Sequence, residues 1–510
     1  MNQRKVGAML SSIITISHSV ISLIYVPLLL HFLTKAEYGI YQLIGSFIAY
    51  LTVLDFGLAN TTVCFLSKAY TAKDDKRAKE IISISHTIYL GIAVILALVG
   101  IVFYFFLDPI YGKTLTPSEM TIAKQIYWIM LINVMVVLPA HVFTAVVNAN
   151  EHFIFGRTLG LIKVIFRPVV VYAVLCVKAS VLNLVLTQTI FSFLVIGVNY
   201  MYCKKRLHVS FPLNFKNIKL MKELTGFSVF IFLYVITEQI FWRLGQMILG
   251  AVSGATAVAN YAIAMQLLFF TIWVPRSWSN VFLPKFSSSI AKNTDLKEVN
   301  NIFSELGRIQ LMMVLLLLCG FAALGKTFLL LWVGPSFSVC YWIGILLMSG
   351  YALEISQASG ILILQALNKH SFRAYLSLCI AVLYIVLAIP LAKSYGGMGC
   401  AYATVICLMV QSFCINCFYK KVGLDLKRFF KNWGQVVLTV IPVVILIKIF
   451  FWNFPLKDTW FSLFWHGLIL TAIYGGCMWF LTLNNYEKQV ILGPLKSINK
   501  FLVKRRVKGE

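Results

Sequence analysis

Fourteen stretches of this chain are apolar over roughly 20 residues or more, with only short loops between them. That is the length at which a helix crosses a bilayer core. They run at about 8–33, 38–66, 81–107, 120–148, 159–178, 181–203, 224–250, 257–283, 302–325, 338–368, 372–393, 399–419, 433–452 and 460–483. Lipid offers no partner to a backbone N–H or C=O, so a spanning segment must be a helix or a strand of a closed barrel. Barrel strands show short alternating segments instead. The expected fold class is therefore all-α: a polytopic membrane protein of about 14 transmembrane helices. Composition agrees, since only 12% of the 510 residues are charged, half the share of an ordinary soluble chain.

The net charge of +26 first suggests nucleic acid, but no basic segment is attached to a domain that folds in water. A membrane reading accounts for it better, because Lys and Arg collect in cytoplasmic loops. With the N-terminus inside, the inner segments hold 32 Lys and Arg and the outer segments and span ends hold 8. Both termini are then cytoplasmic. The first apolar stretch is too long for a signal-peptide core and has no small-residue cleavage site after it, so it reads as an uncleaved span. Trp332, Trp452 and Trp460 lie near span ends, as interface anchors do.

An internal repeat shapes the expected domain organisation. Asn150 and His152 after span 4 match Asn368 and His370 after span 10, and Gln42 and Leu43 in span 2 match Gln266 and Leu267 in span 8. Both matches imply a six-span shift. The expected domains are two pseudo-symmetric six-helix lobes, 1–206 and 207–421, two additional helices at 422–485, and a basic cytoplasmic tail at 486–510. The tail alternates apolar and basic residues, which suits an amphipathic helix on the anionic leaflet or a simple solvated tail.

The chain shows no phosphate-binding glycine loop and no metal-ligand cluster, and no loop other than the tail exceeds roughly 20 residues. No catalytic residue, metal or cofactor is expected. Cys414 and Cys417 form a CxxC inside an apolar helix, and Cys400, Cys407 and Cys414 repeat at seven, which reads first as small-residue packing and second as a metal or redox site.

The segment HFLTKAEYGIYQLIGSFIAYLTVLDFGL, from His31, resembles the start of the polysaccharide transporter family. Its members include the O-antigen and capsule flippases of the multidrug/oligosaccharidyl-lipid/polysaccharide exporter superfamily. The Leu-Thr-Xaa-Xaa-Glu-Tyr-Gly from Leu33, the Asp-Phe-Gly-Leu from Asp55 and the Leu-Gln-Ala-Leu-Asn-Lys-His from Leu364 carry the likeness. The resemblance implies a flippase in the bacterial cytoplasmic membrane that moves a lipid-diphosphate-linked oligosaccharide by alternating access, with H+ or Na+ as a coupling ion. It also implies membrane lipids as surroundings and polymerase or glycosyltransferase neighbours.

Against that background the charges inside spans stand out, since each costs about 2.5–3.5 kcal/mol at the bilayer centre on insertion scales. In TEQIFWRLGQMIL, Gln239, Arg243 and Gln246 are spaced to share one face of a regular helix. Glu238, five positions before Arg243, falls on another face. Arg243 offers a planar fork of donors suited to phosphate oxygens. Lys163 and Arg167 are one turn apart in span 5, and Arg276 follows Pro275 in span 8. Spans 5, 7 and 8 are expected to place these cations around a central cavity between the halves. The expected substrate-binding residues are thus Arg243, Arg276, Arg167, Gln239, Gln246 and Lys163. Lys163 also suits snorkelling to the interface, and Arg276 suits an ion pair or a carbonyl cap at the Pro275 kink. Glu238, Glu354 and Asp55 are the ion-coupling candidates, or else structural partners of arginines. His18 and His141 read first as packing histidines. The rival functions are a drug/cation antiporter of the same superfamily, which favours acids in its cavity, and a membrane enzyme of envelope polysaccharide assembly, which normally presents a sizeable aqueous loop.

Overall fold

The computed structural model describes residues 3–55, 57–214, 217–291, 296–367, 371–484 and 487–488. Among them, thirteen helices are long and apolar enough to cross a membrane. The remaining expected span is a helix as well, built in three pieces between Ile218 and Ser253.

The first six helices are α1 Gln3–Phe32, α2 Lys35–Thr71, α3 Asp75–Tyr111, α4 Pro117–Ala149, α5 Phe153–Val177 and α6 Val181–Lys205. Then come α7, composed of Ile218–Gln239, Ile240–Leu244 and Gly245–Ser253, and α8 Ala255–Ala291. They are followed by α9 Leu296–Val333 and α10, composed of Val339–Ser356 and Ala358–Ala366. The last four are α11 Ser371–Tyr395, α12 Gly397–Val422, α13 Leu426–Asn453 and α14 Trp460–Leu481.

The ends of these helices are chemically marked. Thr34 and Thr116 each accept from the backbone N–H three residues on, and Glu37 and Glu119 reach back to the cap N–H. These reciprocal capping boxes satisfy donors that lipid cannot. Asp74, Asn217 and Asp425 cap α3, α7 and α13 in the simpler one-way form.

Three helices depart from regular geometry. α2 tightens into a 3-10 turn at Val53–Asp55 and restarts at Leu58 after Gly57, whose φ of +68° suits a residue without a Cβ. α7 contains a π-helical turn at Ile240–Leu244. α10 is interrupted at Gln357, where φ is −98° and the backbone N–H is shared among carbonyls of the preceding turn.

The chain forms two compact units, one of Met1–Ala262 with Ile385–Cys400, the other of Ile263–Tyr384 with Ala401–Glu510. In the first, α4 packs on α2, α3 and α6, and α1 packs on α5. Its core holds Tyr38, Tyr89 and Tyr127 with no more than 1% exposure. Gly39, from the Glu-Tyr-Gly motif, lets α2 touch the chain at Ala255: a Cβ there would stand 1.9 Å from the Ala255 carbonyl oxygen. In the second unit, α9 packs on α10, α13 and α14. Its core centres on Phe303, Tyr419 and Phe429, with Phe303 stacked on Phe429 at 4.8 Å. Large apolar side chains such as Phe105, Phe413, Phe464 and Phe480 lie exposed on the helices, where a bilayer supplies the missing contacts.

Trp452 and Trp460 are exposed near their span ends, but Trp332 is not: it is only 6% exposed and stacks on Phe328 at 5.3 Å. A tryptophan near a helix end serves here as core, because α9 runs on past the point where the apolar pattern suggested an anchor. Arg308 is only 7% exposed within α9. Cys400 and Cys407 are buried, and Cys414 is half-buried. Asn368 and His370 of the repeat, and the tail apart from Glu487 and Lys488, lie outside the described residues.

Candidate functional site

In the first unit α4, α5 and α6 enclose a cavity of about 490 Å³, within the usual range for small-ligand sites. Lys163 and Arg167, one helical turn apart on α5, both line it. The start of α5 is held to the end of α6 by Phe155 stacked flat on Tyr202 at 3.6 Å and by His152 Nδ1 at 2.7 Å from the Tyr202 hydroxyl. Pro168, next to Arg167, has no N–H to give the carbonyl of Val164, which leaves that turn free to bend. From α4 the cavity takes Asn133, His141 and Thr144, and from α6 it takes Gln188, Ser192 and Asn199. No Asp or Glu is among the lining residues, and among the described residues neither cation makes an ion pair. Two positive charges in such a setting attract an anion.

Hydrogen bonds lead from this cavity through Gln188 to Tyr25 and Tyr41. Gln188 donates through Nε2 to the Tyr25 hydroxyl at 2.9 Å and accepts at Oε1 from the Tyr41 hydroxyl at 3.3 Å. Arg167 lies within electrostatic reach of Tyr25, and Arg243 within reach of Tyr41, Tyr38 and Tyr50. Arg243 is half-buried on α7 and forms no ion pair among the described residues. Its neighbours in sequence take separate roles. Glu238 accepts from Trp242 Nε1 at 3.3 Å. Gln246 is 3% exposed and accepts from the Ser46 hydroxyl. The Gln239 backbone carbonyl accepts from the Tyr50 hydroxyl at 3.3 Å, while its own side-chain Oε1 is buried with no hydrogen-bond partner.

The π turn explains why one polar stripe became several contacts. Its i to i+5 hydrogen bonds insert an extra residue into the turn, so the regular spacing that aligns Gln239, Arg243 and Gln246 does not hold across it. Glu238 and Arg243, which a regular helix puts on different faces, are brought nearer in angle by the same turn, yet they do not pair. A π turn cannot be read from the local pattern, because tertiary contacts decide where it forms.

The break in α2 brings Asp55 to His141, which lines the cavity. The Tyr89 hydroxyl donates to Asp55 Oδ1 at 2.6 Å, and His141 Nδ1 lies 3.5 Å from the same oxygen. The His141 contact is close enough for charge attraction if the ring is protonated, but too poorly aligned for a hydrogen bond, and Nδ1 has no other partner. The Tyr89 and His141 rings meet edge to face at 6.1 Å. His141 was the residue that sequence reasoning set aside as packing; its neighbour Pro139 and the distant Asp55 gave no local signal of this cluster.

The second unit pairs its embedded charges. Arg276 donates through one guanidinium nitrogen to both oxygens of Glu354, at 3.0 and 3.2 Å. Arg308 donates through Nε to Glu487 Oε1 at 2.9 Å, through Nη2 to the Thr482 carbonyl, and through Nη1 to Gln435 Oε1 at 3.2 Å. Of the predicted site residues, Lys163 and Arg167 are thus brought together at one cavity. Arg276 and Glu354 are brought to each other.

Residues 5–289 match the family model described as polysaccharide biosynthesis protein. An uncharacterized membrane protein EpsK of Bacillus subtilis strain 168 is 22% identical over 484 residues, covering 91% of this chain and 93% of that protein. Among solved structures, the lipid II flippase MurJ in an inward closed conformation has a TM-score of 0.71 at 17% identity, covering 92% of this chain and 99% of that one. An inward-facing multidrug resistance MATE transporter of the MOP superfamily has a TM-score of 0.63 at 11% identity, covering 82% and 95%. At these identities the structural likeness establishes the fold.

Proposed function

The chain belongs to the polysaccharide biosynthesis protein family, and from that premise we propose that it is a flippase of the MOP superfamily for a lipid-diphosphate-linked oligosaccharide, working by alternating access across the cytoplasmic membrane. The observation that carries the reading is the first-unit cavity. Lys163 and Arg167 face it without a carboxylate among the lining residues, so a diphosphate finds charge there that the protein itself leaves uncompensated. Arg167 supplies a two-pronged donor for phosphate oxygens and Lys163 a mobile point charge. Arg243 extends the positive field through Tyr41 and Gln188.

A flippase needs no covalent step, only a site that binds the head group and exchanges sides. The sequence repeat supports two six-helix lobes, 1–206 and 207–421, as the rocking bodies, with α13 and α14 added. The 32-to-8 distribution of basic residues supports cytoplasmic termini. Asp55 with Tyr89 and His141 is the coupling site this reading favours: a titratable ring stands between an acid and a cationic cavity, so a proton and an anion bound there support each other. Glu354 is committed to Arg276, which favours a structural role for that pair. A cation antiporter would need acids in the cavity, and the lining residues include none.

The test is transport by the whole protein reconstituted in vesicles, together with mass spectrometry of lipid-linked intermediates in cells lacking it. Accumulation of a lipid-diphosphate oligosaccharide, relieved by the native chain and not by Arg167→Ala, is the expected result. Unchanged intermediates in the deletion strain overturn the reading.

A further inference from the structure

A second cavity, of about 610 Å³, lies wholly in the second unit. It sits where α9 ends, α10 begins and the α13–α14 loop passes. Its chemistry differs from the first. Lys326 Nζ hangs over two aromatic rings, 5.3 Å from the Tyr341 centroid and 5.6 Å from that of Trp342. The rings meet edge to face at 5.0 Å, and the Tyr341 hydroxyl is anchored to the Ala322 carbonyl at 2.8 Å. Trp342 is 56% exposed. Across the cavity, Asp458 Oδ1 accepts from the Thr327 hydroxyl at 3.1 Å; Asp458 Oδ2 and the Ser338 hydroxyl have no partner among the described residues. Lys326 and Asp458 are both exposed and do not pair with each other.

We infer that this cavity binds the glycan part of the substrate on the exterior side, after the head group has crossed. The inference rests on the flippase reading for its ligand and on the basic-loop distribution for its side. One lysine and one aspartate give the lining no net charge, so it has no preference for a diphosphate; the carboxylate repels one. A sugar ring presents hydroxyls on its edge and C–H groups on its face. The open face of Trp342 takes the C–H side by apolar contact. Asp458, Lys326 and Ser338 offer one acceptor, one donor and one group that does either, which is what vicinal hydroxyls require. The walls are fixed: Gly334, with φ of +92°, turns the chain sharply between α9 and α10, and the tyrosine is tied to backbone. The volume suits a segment of several sugars rather than a single ring. The protein thus separates its two recognition tasks, phosphate in one unit and glycan in the other.

The experiment is saturation-transfer NMR on the full chain in nanodiscs, with maltotetraose, chitotetraose and tetragalacturonate as probes and soluble dihexanoyl phosphatidylglycerol as competitor. At least one oligosaccharide is expected to receive saturation, with the signal cut at least fivefold by Trp342→Ala and by Asp458→Asn and unchanged by Arg167→Ala. Trp342 is exposed, so its removal leaves the fold intact; thermal stability of the variant checks this. Silence from all three oligosaccharides, signals that survive both substitutions, or displacement by the phospholipid each overturn the inference, the last by making this a lipid headgroup site. The parent reading is judged separately by surface polymer in Arg167→Ala cells. Polymer loss with silent NMR removes the glycan site alone, and polymer retained removes the flippase reading.

Discussion

The two units of the protein handle buried positive charge in opposite ways. In the first, Lys163, Arg167 and Arg243 make no ion pair among the described residues and look onto tyrosines, amides and a cavity. In the second, Arg276 holds Glu354 and Arg308 holds Glu487. An unpaired charge away from bulk water is costly, and a fold retains one where something else compensates it part of the time. A paired charge satisfies itself and gives a passing anion little to bind. On the proposed reading, head-group binding belongs to the unit that leaves its charges unfinished, and the paired charges of the other unit read as fasteners.

The largest effect is expected where the contrast is sharpest. Arg167→Ala should lower surface polysaccharide by at least tenfold with the protein still in the membrane at normal amount, measured by polymer assay beside an immunoblot. Arg167→Lys should recover part of it, since charge is kept and the fork is lost. Substitutions at Arg276 should show the reverse pattern. Arg276→Gln with Glu354→Gln should transport better than either single change, because the double variant leaves no widowed charge. If the Arg276 variants lose transport at full stability while the double change recovers nothing, the division of roles collapses.

The Arg308–Glu487 pair gives the next effect, on stability. Both side chains are deeply buried, 8% and 0% exposed, and Glu487 also accepts from the Asn484 backbone N–H at 2.9 Å. Removing one partner strands the other, at about 3–5 kcal/mol, whereas replacing both with apolar residues is often neutral. Glu487→Ala should markedly lower the thermal midpoint seen by size-exclusion chromatography after heating; Arg308→Met with Glu487→Leu should restore most of it. Transport per folded molecule should stay unchanged in both.

His141 sharpens the comparison from another side, because unit one holds its acid near a histidine instead of an arginine. His141 Nδ1 stands 3.5 Å from Asp55 Oδ1, and His141 lines the cavity that holds Lys163 and Arg167. His141→Asn should therefore lower transport of an anionic lipid severalfold, with the protein still in the membrane at normal amount. Transport unchanged by the substitution removes the cluster from the mechanism.

The spans were legible because hydropathy is a local property: fourteen apolar runs became fourteen helices among the described residues, and the Leu33–Leu58 segment pointed to the family. The pairing of Lys163 with Arg167 was legible too, since a four-residue spacing on one helix is enough. What stayed hidden was set by contacts far apart in sequence. Glu354 lies 78 positions from Arg276 and Glu487 lies 179 from Arg308, so no pattern along the chain told a fastener from a binding residue. The π turn in α7 and the His141 cluster are hidden for the same reason.

The smallest predicted effects concern the two helix breaks, and they separate the units once more. Gly57 interrupts α2 with φ at +68°, a region where a side chain costs roughly 1–2 kcal/mol. Gln357 interrupts α10 at φ of −98°, which any residue adopts, and its side chain donates to Asn416 Oδ1 at 2.8 Å. Gly57→Ala should thus strain the backbone two residues from Asp55 and disturb the Asp55–His141 approach, lowering transport more than stability. Gln357→Ala should lose only a hydrogen bond, about 0.5–1.5 kcal/mol, with transport kept. The measurement is the ratio of transport to thermal midpoint for each variant. Equal ratios would mean that the break beside Asp55 is mere geometry, and a lower ratio for Gly57→Ala would tie that strained turn, through Asp55 and His141, to the cavity that His141 lines.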